Sequence, residues 1–327
     1  MRERREATRH TDTRDEGLTH TMAKSRRRSR SGSGKALWAV LGVVTVAGLA
    51  LAGVGLRTLP GSPLAASAAG SGGSTTTGAS GSSNSPSASP SPTLPPLAIR
   101  PASITLDVEG DFSWAMIDRR DGKISGSKNM ATTSSTASMI KAWIGADYLR
   151  RAAENGQTPS NLRMEQLRIM IRDSDNDAAQ TLWGQVGRAA STQRMIKMCK
   201  LTDSKANSNW SITALSSRDT ARLGACIADG RAAGKKWTPW LLDEMRAVRG
   251  VGDFGIRKAF AEDVSDTIAI KNGWVVRDAS GEWEVNCLAI GDKWALGVMT
   301  HYPANLGYEY GAKICQDVAL KLKTPTA

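Results

Sequence analysis

Three short runs of the chain place hydroxyl, amine and carboxamide groups where acyl transfer would need them: Ser138-Met139-Ile140-Lys141, Ser174-Asp175-Asn176 and Lys271-Asn272-Gly273-Trp274. Serine is a weak nucleophile at its own pKa and needs a base, and a desolvated, neutral lysine can act as one. On a helix, Ser138 and Lys141 lie one turn apart on the same face, so the amine can approach the hydroxyl. The second run adds a hydroxyl, Ser174, and a carboxamide, Asn176. The third adds Lys271, a cation for a carboxylate, and Gly273, which lets a ligand backbone come close. Each run also has a plain structural reading. These are an incidental Ser and Lys on a surface helix, a helix cap made by the Ser, Asp or Asn (with Asp177 equally able), and an ordinary Asn-Gly turn. Their occurrence together and in order is the stronger signal.

The elements that must hold these residues follow from the hydrophobic pattern. Strand-like text at Ile104 to Val108 and Ser113 to Ile117, with an Asp121-Gly122 turn before Lys123-Ile124-Ser125, predicts an antiparallel meander. Met139, Ile140, Trp143, Ile144 and Tyr148 have helical spacing and predict a helix from about Ala137 to Glu154, stopped by Asn155-Gly156. Ser138 then falls in the first turn, where free N–H groups and the helix dipole favour developing negative charge. A second helix over Met164 to Ile171 and a third through Ala178, Leu182 and Trp183 leave Ser174 at the break between them. Helices continue to about Phe260. Strand patterns return at Thr267 to Lys271, Trp283 to Ile290 and Trp294 to Thr300, and a last helix spans about Gly307 to Leu322. Strands at both ends of a helical middle predict an α+β body, an antiparallel sheet with flanking helices plus an inserted all-helical lobe.

The 327 residues do not divide into two globular domains, because the first ninety-odd do not read as globular. Residues 1–35 carry eleven Lys/Arg against five acids, +6 of the formal +12, and read as a basic tail. Residues 36–56 follow without a charge for 21 residues, long enough to span a bilayer as a helix. By the positive-inside rule Arg26-Arg27-Arg28 keeps the N-terminus in the cytoplasm and sends the rest outside. A signal peptide cleaved near Ala66-Ser67-Ala68 would release the protein instead, and Met22 is an alternative start. Residues 57–97, dominated by Ser, Gly, Thr, Ala and Pro, form a flexible linker that cannot build a core. One body is left, residues 98–327, large enough to bury a core unaided.

Cys199, Cys226, Cys287 and Cys315 all fall in that body and would face an oxidising space, so two disulfides are plausible and three connectivities are open, with sequential pairing favoured by proximity alone. Four buried thiols are the competing reading. With His301 the only histidine of the body, no spacing points to a metal, and no cofactor is expected. The basic tail lacks interleaved aromatics and lies on the cytoplasmic side, which argues against nucleic acid.

On its three motifs the chain resembles the penicillin-recognising serine hydrolases, and class A β-lactamases most. Met164-Glu165-Gln166-Leu167 leading into Ser174-Asp175-Asn176-Asp177-Ala178-Ala179 is similar to the family's helices around S-D-N. Lys271-Asn272-Gly273-Trp274, followed by Trp283 and Val285-Asn286, resembles a K-N-G-W variant of extracytoplasmic β-lactamase-like proteins of actinobacteria. The resemblance implies that Ser138 is acylated, Lys141 takes its proton and Ser174 relays a proton to the leaving nitrogen. It further implies that Asn176 holds a substrate amide, that Lys271 binds a carboxylate, that Asn272 replaces the usual hydroxyl donor, and that the N–H groups of Ser138 and Trp274 form an oxyanion hole. Such an enzyme acts on β-lactams or D-Ala-D-Ala-type stem peptides.

Two departures bear on activity. The family's deacylating glutamate lies in a loop beyond S-D-N, and the comparable stretch here, Ser204 to Arg218, holds neither Asp nor Glu. Loss of general-base help, worth about 10²–10⁴-fold, predicts slow hydrolysis of the acyl-enzyme. Asp203 and Asp219 flank the loop as the nearest replacements. The segment from Ser138 to Ser174 is also shorter than in the family. A non-catalytic module that binds wall fragments or a partner protein is the competing function.

Overall fold

The computed structural model describes residues 97–324. The basic tail, the apolar span and most of the expected linker lie outside the described residues. Among the described residues no helix is long and apolar enough to cross a membrane. The two ends of the body pair with each other: Arg100 donates its N–H to Leu322 O and Thr324 to Ala98 O.

The first strands are β1 (Asp111–Asp118), β2 (Ile124–Gly126) and β3 (Thr133–Ser135). A 3-10 turn at Ala137–Ile140 then runs directly into α1 (Lys141–Glu154), followed by α2 (Asn161–Arg172), α3 (Asn176–Gln185) and α4 (Ala189–Cys199). After β4 (Ala214–Ser216) come α5 (Ser217–Ala228), α6 (Thr238–Arg246) and α7 (Glu262–Ser265). The chain closes with β5 (Ala269–Ile270), β6 (Gly273–Arg277), β7 (Glu282–Ile290), β8 (Trp294–Pro303) and α8 (Tyr308–Leu322). The predicted α+β class holds, with the strand order β2-β1-β8-β7-β5 antiparallel throughout and β6 paired to β7.

Residue alternation along β7 explains the layers. Val285 and Cys287 face α8, where Gly311 and Cys315 meet them, while Leu288 and Ile290 face α5 at Gly224. In the helical lobe α1 is buried nearly all round by α2, α3, α4 and α6, as expected of a helix with apolar residues on most faces. The cysteines pair sequentially, Cys199–Cys226 tying α4 to α5 and Cys287–Cys315 tying β7 to α8. Closing loops of this length contributes about 3–4 kcal/mol in the chain-entropy picture.

One predicted strand is absent. Ile104, Leu106 and Val108 alternate inward onto the core as the pattern requires, yet the segment forms no ladder. Period-2 patterning fixes which side chains are buried and leaves open whether a partner strand exists. The opening meander is therefore β1 and β2 alone.

Candidate active site

Ser138 sits in the 3-10 turn, preceded by Ala137 at φ 45°, a left-handed conformation that is costly for a residue with a Cβ. Such strain persists only where the surroundings over-determine it, and here they do. A Cβ on Gly273 would lie 2.2 Å from Thr136 O and 2.9 Å from Ser138 N, so β6 begins pressed against the backbone that carries Ser138. The close approach at Gly273 is to the chain's own backbone, and glycine is required for it.

Lys141 opens α1 with its side chain fully buried. Its Nζ donates to Ser174 O at 2.5 Å, to Asn176 Oδ1 at 2.7 Å and to Ser174 Oγ at 3.2 Å. Lys271 is equally buried and donates to the same Ser174 Oγ at 2.9 Å and to Asn272 O at 3.2 Å. Desolvation lowers the Lys141 pKa to about 7, partly opposed by the charge of Asp175. Lys271 is pushed well below the usual lysine range, first by burial and then by the charge of Lys141. Two ammonium groups around one hydroxyl repel, so burial and this repulsion both act against charging the two lysines together.

Ser174 occupies the left-handed position just after α2, at φ 59°, where glycine or asparagine is the inexpensive choice. Serine keeps a hydroxyl there. With both lone pairs engaged by the two lysines, its O–H is left to donate elsewhere. The capping reading of this motif is also correct, because Asp175 caps α3 by accepting from Ala178 N at 2.7 Å. One tripeptide caps a helix through its middle residue and faces the lysines through the outer two.

A cleft of about 320 Å³ opens on Ser138, Asn176 and Trp274, with Gln180, Asn209, Trp210 and Ser211 completing the wall. Lys271, Asn272 and Gly273 do not line it. Lys271 reaches the site through Ser174, whose Oγ accepts from its Nζ. Asn272 is turned away altogether, its Nδ2 donating to Gly252 O at 3.1 Å and Phe254 O at 2.9 Å. It braces the 252–254 segment, whose Phe254 packs edge-on to Trp274 and Tyr308. The expectation that Asn272 supplies a substrate donor is corrected accordingly.

The replacement acids are also committed elsewhere. Asp219 accepts from the backbone N–H groups of Thr202, Asp203 and Ser204, and Asp203 accepts from Ser216 Oγ and pairs with Arg218. They shape the loop, and neither lines the cleft. Trp210 was not among the predicted residues. It is a lone indole in the polar run Asn207-Ser208-Asn209-Trp210-Ser211, and such an isolated aromatic was the available signal.

No protein-family model and no curated protein matches the sequence. Solved structures do. A variant of the TLA-1 extended-spectrum β-lactamase superposes with a TM-score of 0.56 at 15% identity, over 65% of this chain and 93% of that one. The TLA-3 extended-spectrum β-lactamase gives 0.55 at 15% over the same shares. A β-lactamase from Chitinophaga pinensis DSM 2588 gives 0.52 at 17%, over 64% of this chain and 92% of that one. The fold is that of the class A β-lactamases. At this identity the likeness to class A β-lactamases is one of fold, and the chemistry of the site rests on its own residues.

Proposed function

We propose that the protein is an extracytoplasmic serine acyl-enzyme that reacts with β-lactams or D-Ala-D-Ala-type peptides and releases the acyl group slowly. The observation that carries this reading is Ser174 Oγ held between Lys141 and Lys271, beside a cleft that opens on Ser138. As Ser138 Oγ bonds to the substrate carbonyl carbon, its proton passes to neutral Lys141. Lys141 returns a proton through Ser174 to the leaving nitrogen as the C–N bond breaks. The N–H groups of Ser138 and Trp274 stabilise the oxyanion, and Asn176, exposed on the cleft wall, takes the substrate amide. Lys271 acts through Ser174, fixing the hydroxyl as acceptor so that its proton points outward. No carboxylate lines the cleft to activate the deacylating water.

The two disulfides suit an oxidising compartment. Together with the uncharged span 36–56 they support a body held outside the membrane by a cytoplasm-facing anchor and the 57–97 linker. One observation favours a second reading, a binding module for wall fragments: among the described residues Ser138 Oγ makes no hydrogen bond, and the Lys141 protons go to Ser174 and Asn176. Intact mass of the full-length protein with benzylpenicillin, beside Ser138→Ala, separates the two. A lasting adduct that requires Ser138 is expected. No adduct and no drug loss would leave the binding module.

A further inference from the structure

The loop between α4 and β4 is where a class A enzyme would be expected to present its deacylating acid, and here it presents an indole. Trp210 stands with its ring 5.0 Å from Lys141 Nζ. Its Nε1 donates to Gln180 Oε1 on α3 at 3.2 Å, so the ring bridges from its loop to the helical lobe across the mouth of the site. The loop is firmly held. Lys205 and Ala214 exchange backbone hydrogen bonds at 3.0 and 3.1 Å, Thr136 N donates to Thr213 O at 2.9 Å, and Arg277 donates to Ser211 O at 3.0 Å.

Hydrolysis of a Ser138 ester needs one water molecule and one base. The water oxygen bonds to the acyl carbon and keeps one hydrogen, the other hydrogen travels through the base to Ser138 Oγ, and the C–Oγ bond breaks. The amine at hand is Lys141. Ser174 O, Ser174 Oγ and Asn176 Oδ1 surround its Nζ, and the indole covers a further side. We propose that Trp210 is a water gate: its ring keeps water from Lys141 and the acyl bond, and so sets the lifetime of the acyl-enzyme. The assignment rests on the acyl-enzyme reading above and adds a positive cause for slow release to the missing acid. The gate also keeps Lys141 dry, and so neutral, for the acylation step. Asp175 and Lys271 are the titratable groups whose charge is coupled to that of Lys141.

The test uses the full-length protein, acylated with benzylpenicillin and freed of excess drug, with adduct loss followed by intact mass. Trp210→Ala is expected to shorten the adduct lifetime by about ten-fold or more, within the range that solvent and base access confer. Trp210→Phe keeps a ring and is expected to retain a lifetime within about three-fold of the parent. In Trp210→Ala the acylation rate should also reach its midpoint at higher pH, because Lys141 is rehydrated. A merely structural role for the ring would not move that midpoint. An unchanged lifetime in Trp210→Ala overturns the gate while leaving Ser138 as nucleophile. Absence of an adduct in the parent protein overturns the acyl-enzyme reading and the gate with it. Should Trp210→Ala fail to fold, Trp210→Thr decides, since it keeps a branched side chain in the loop and removes the ring: a shorter lifetime supports the gate and an unchanged one overturns it.

Discussion

Helix α1 carries two fully buried charged residues less than two turns apart, and they are treated in opposite ways. Asp147 is surrounded by opposite charge and donors. Arg150 pairs with it, Arg194 donates at 2.5 and 3.2 Å, and Ser191 Oγ donates at 2.6 Å. Lys141 donates only to neutral oxygens, beside an indole face and a second lysine beyond Ser174, and the charge of Asp175 offsets its burial only in part. A charge buried with partners holds α1 to α4. A charge buried without them is driven to neutrality, and a neutral amine is what an acyl-enzyme needs next to its serine. Compensation, more than burial, separates the structural centre from the one proposed to react.

The sharpest way to break this contrast is to replace each residue with a neutral one. Lys141→Met is expected to slow formation of the benzylpenicillin adduct by about 10³-fold or more, since it removes the proton acceptor, while raising the melting temperature. The sign follows from linkage. The Lys141 pKa is about 7 in the folded protein against an ordinary 10.5 unfolded. The unfolded state therefore binds more protons between these values, and the destabilisation is complete below pH 7 and fades toward 10.5. The advantage of Lys141→Met should shrink over the same window. A melting temperature that falls at pH 6 would show that Lys141 is compensated after all.

Asp147→Asn should do the reverse. Removing one partner of a buried ion network leaves Arg150 and Arg194 facing a neutral amide, and about 3–5 kcal/mol of stability is expected to go. Denaturant unfolding measures the loss. Below its melting point the variant should still acylate at close to the parent rate, and a loss of reactivity matching that of Lys141→Met would erase the distinction between the two centres. Smaller again is the effect of pH on the unaltered protein. Acylation should rise about ten-fold per unit below pH 7 and level above it, because only neutral Lys141 accepts the proton. A flat profile from pH 5 to 9 would remove Lys141 from that role.

The same contrast explains what could be read before the fold was known. Lys141 meets Ser174 and Asn176, and Ser138 shares a cleft with Asn176, because each sits at or beside the end of a helix whose apolar periodicity is plain in the sequence. The sequential disulfides were favoured only by proximity, and the packing of α4 on α5 and of α8 on β7 makes them. Ile104 to Val108 had the burial pattern of a strand, but the pairing partner is a property of distant chain. Trp210 stands out in the sequence only as an indole in a polar run, and its place at the site depends on a loop whose path is set by Asp219 and Arg277, which local patterning does not encode. The stretch Ser204 to Arg218 holds no acid, and the residue that fills the place is an indole.

Asn272 provides the finest test, because sequence position and geometry assign it different work. As a motif residue it would donate to substrate; in the fold its two amide hydrogens go to Gly252 O and Phe254 O, and its Oδ1 is buried without a partner. Threonine in its place has one hydrogen to give, so at least one of two buried carbonyls loses its donor. A cost of about 1–3 kcal/mol is expected for an unsatisfied buried group. Phe254 should loosen against Trp274, while acylation by benzylpenicillin changes by less than about ten-fold, the equivalent of 1.4 kcal/mol in the barrier. Unfolding and acylation measured on the same Asn272→Thr sample separate the two assignments. Lost stability with retained reactivity fits a brace, whereas intact stability with a hundred-fold loss of reactivity would return Asn272 to the substrate.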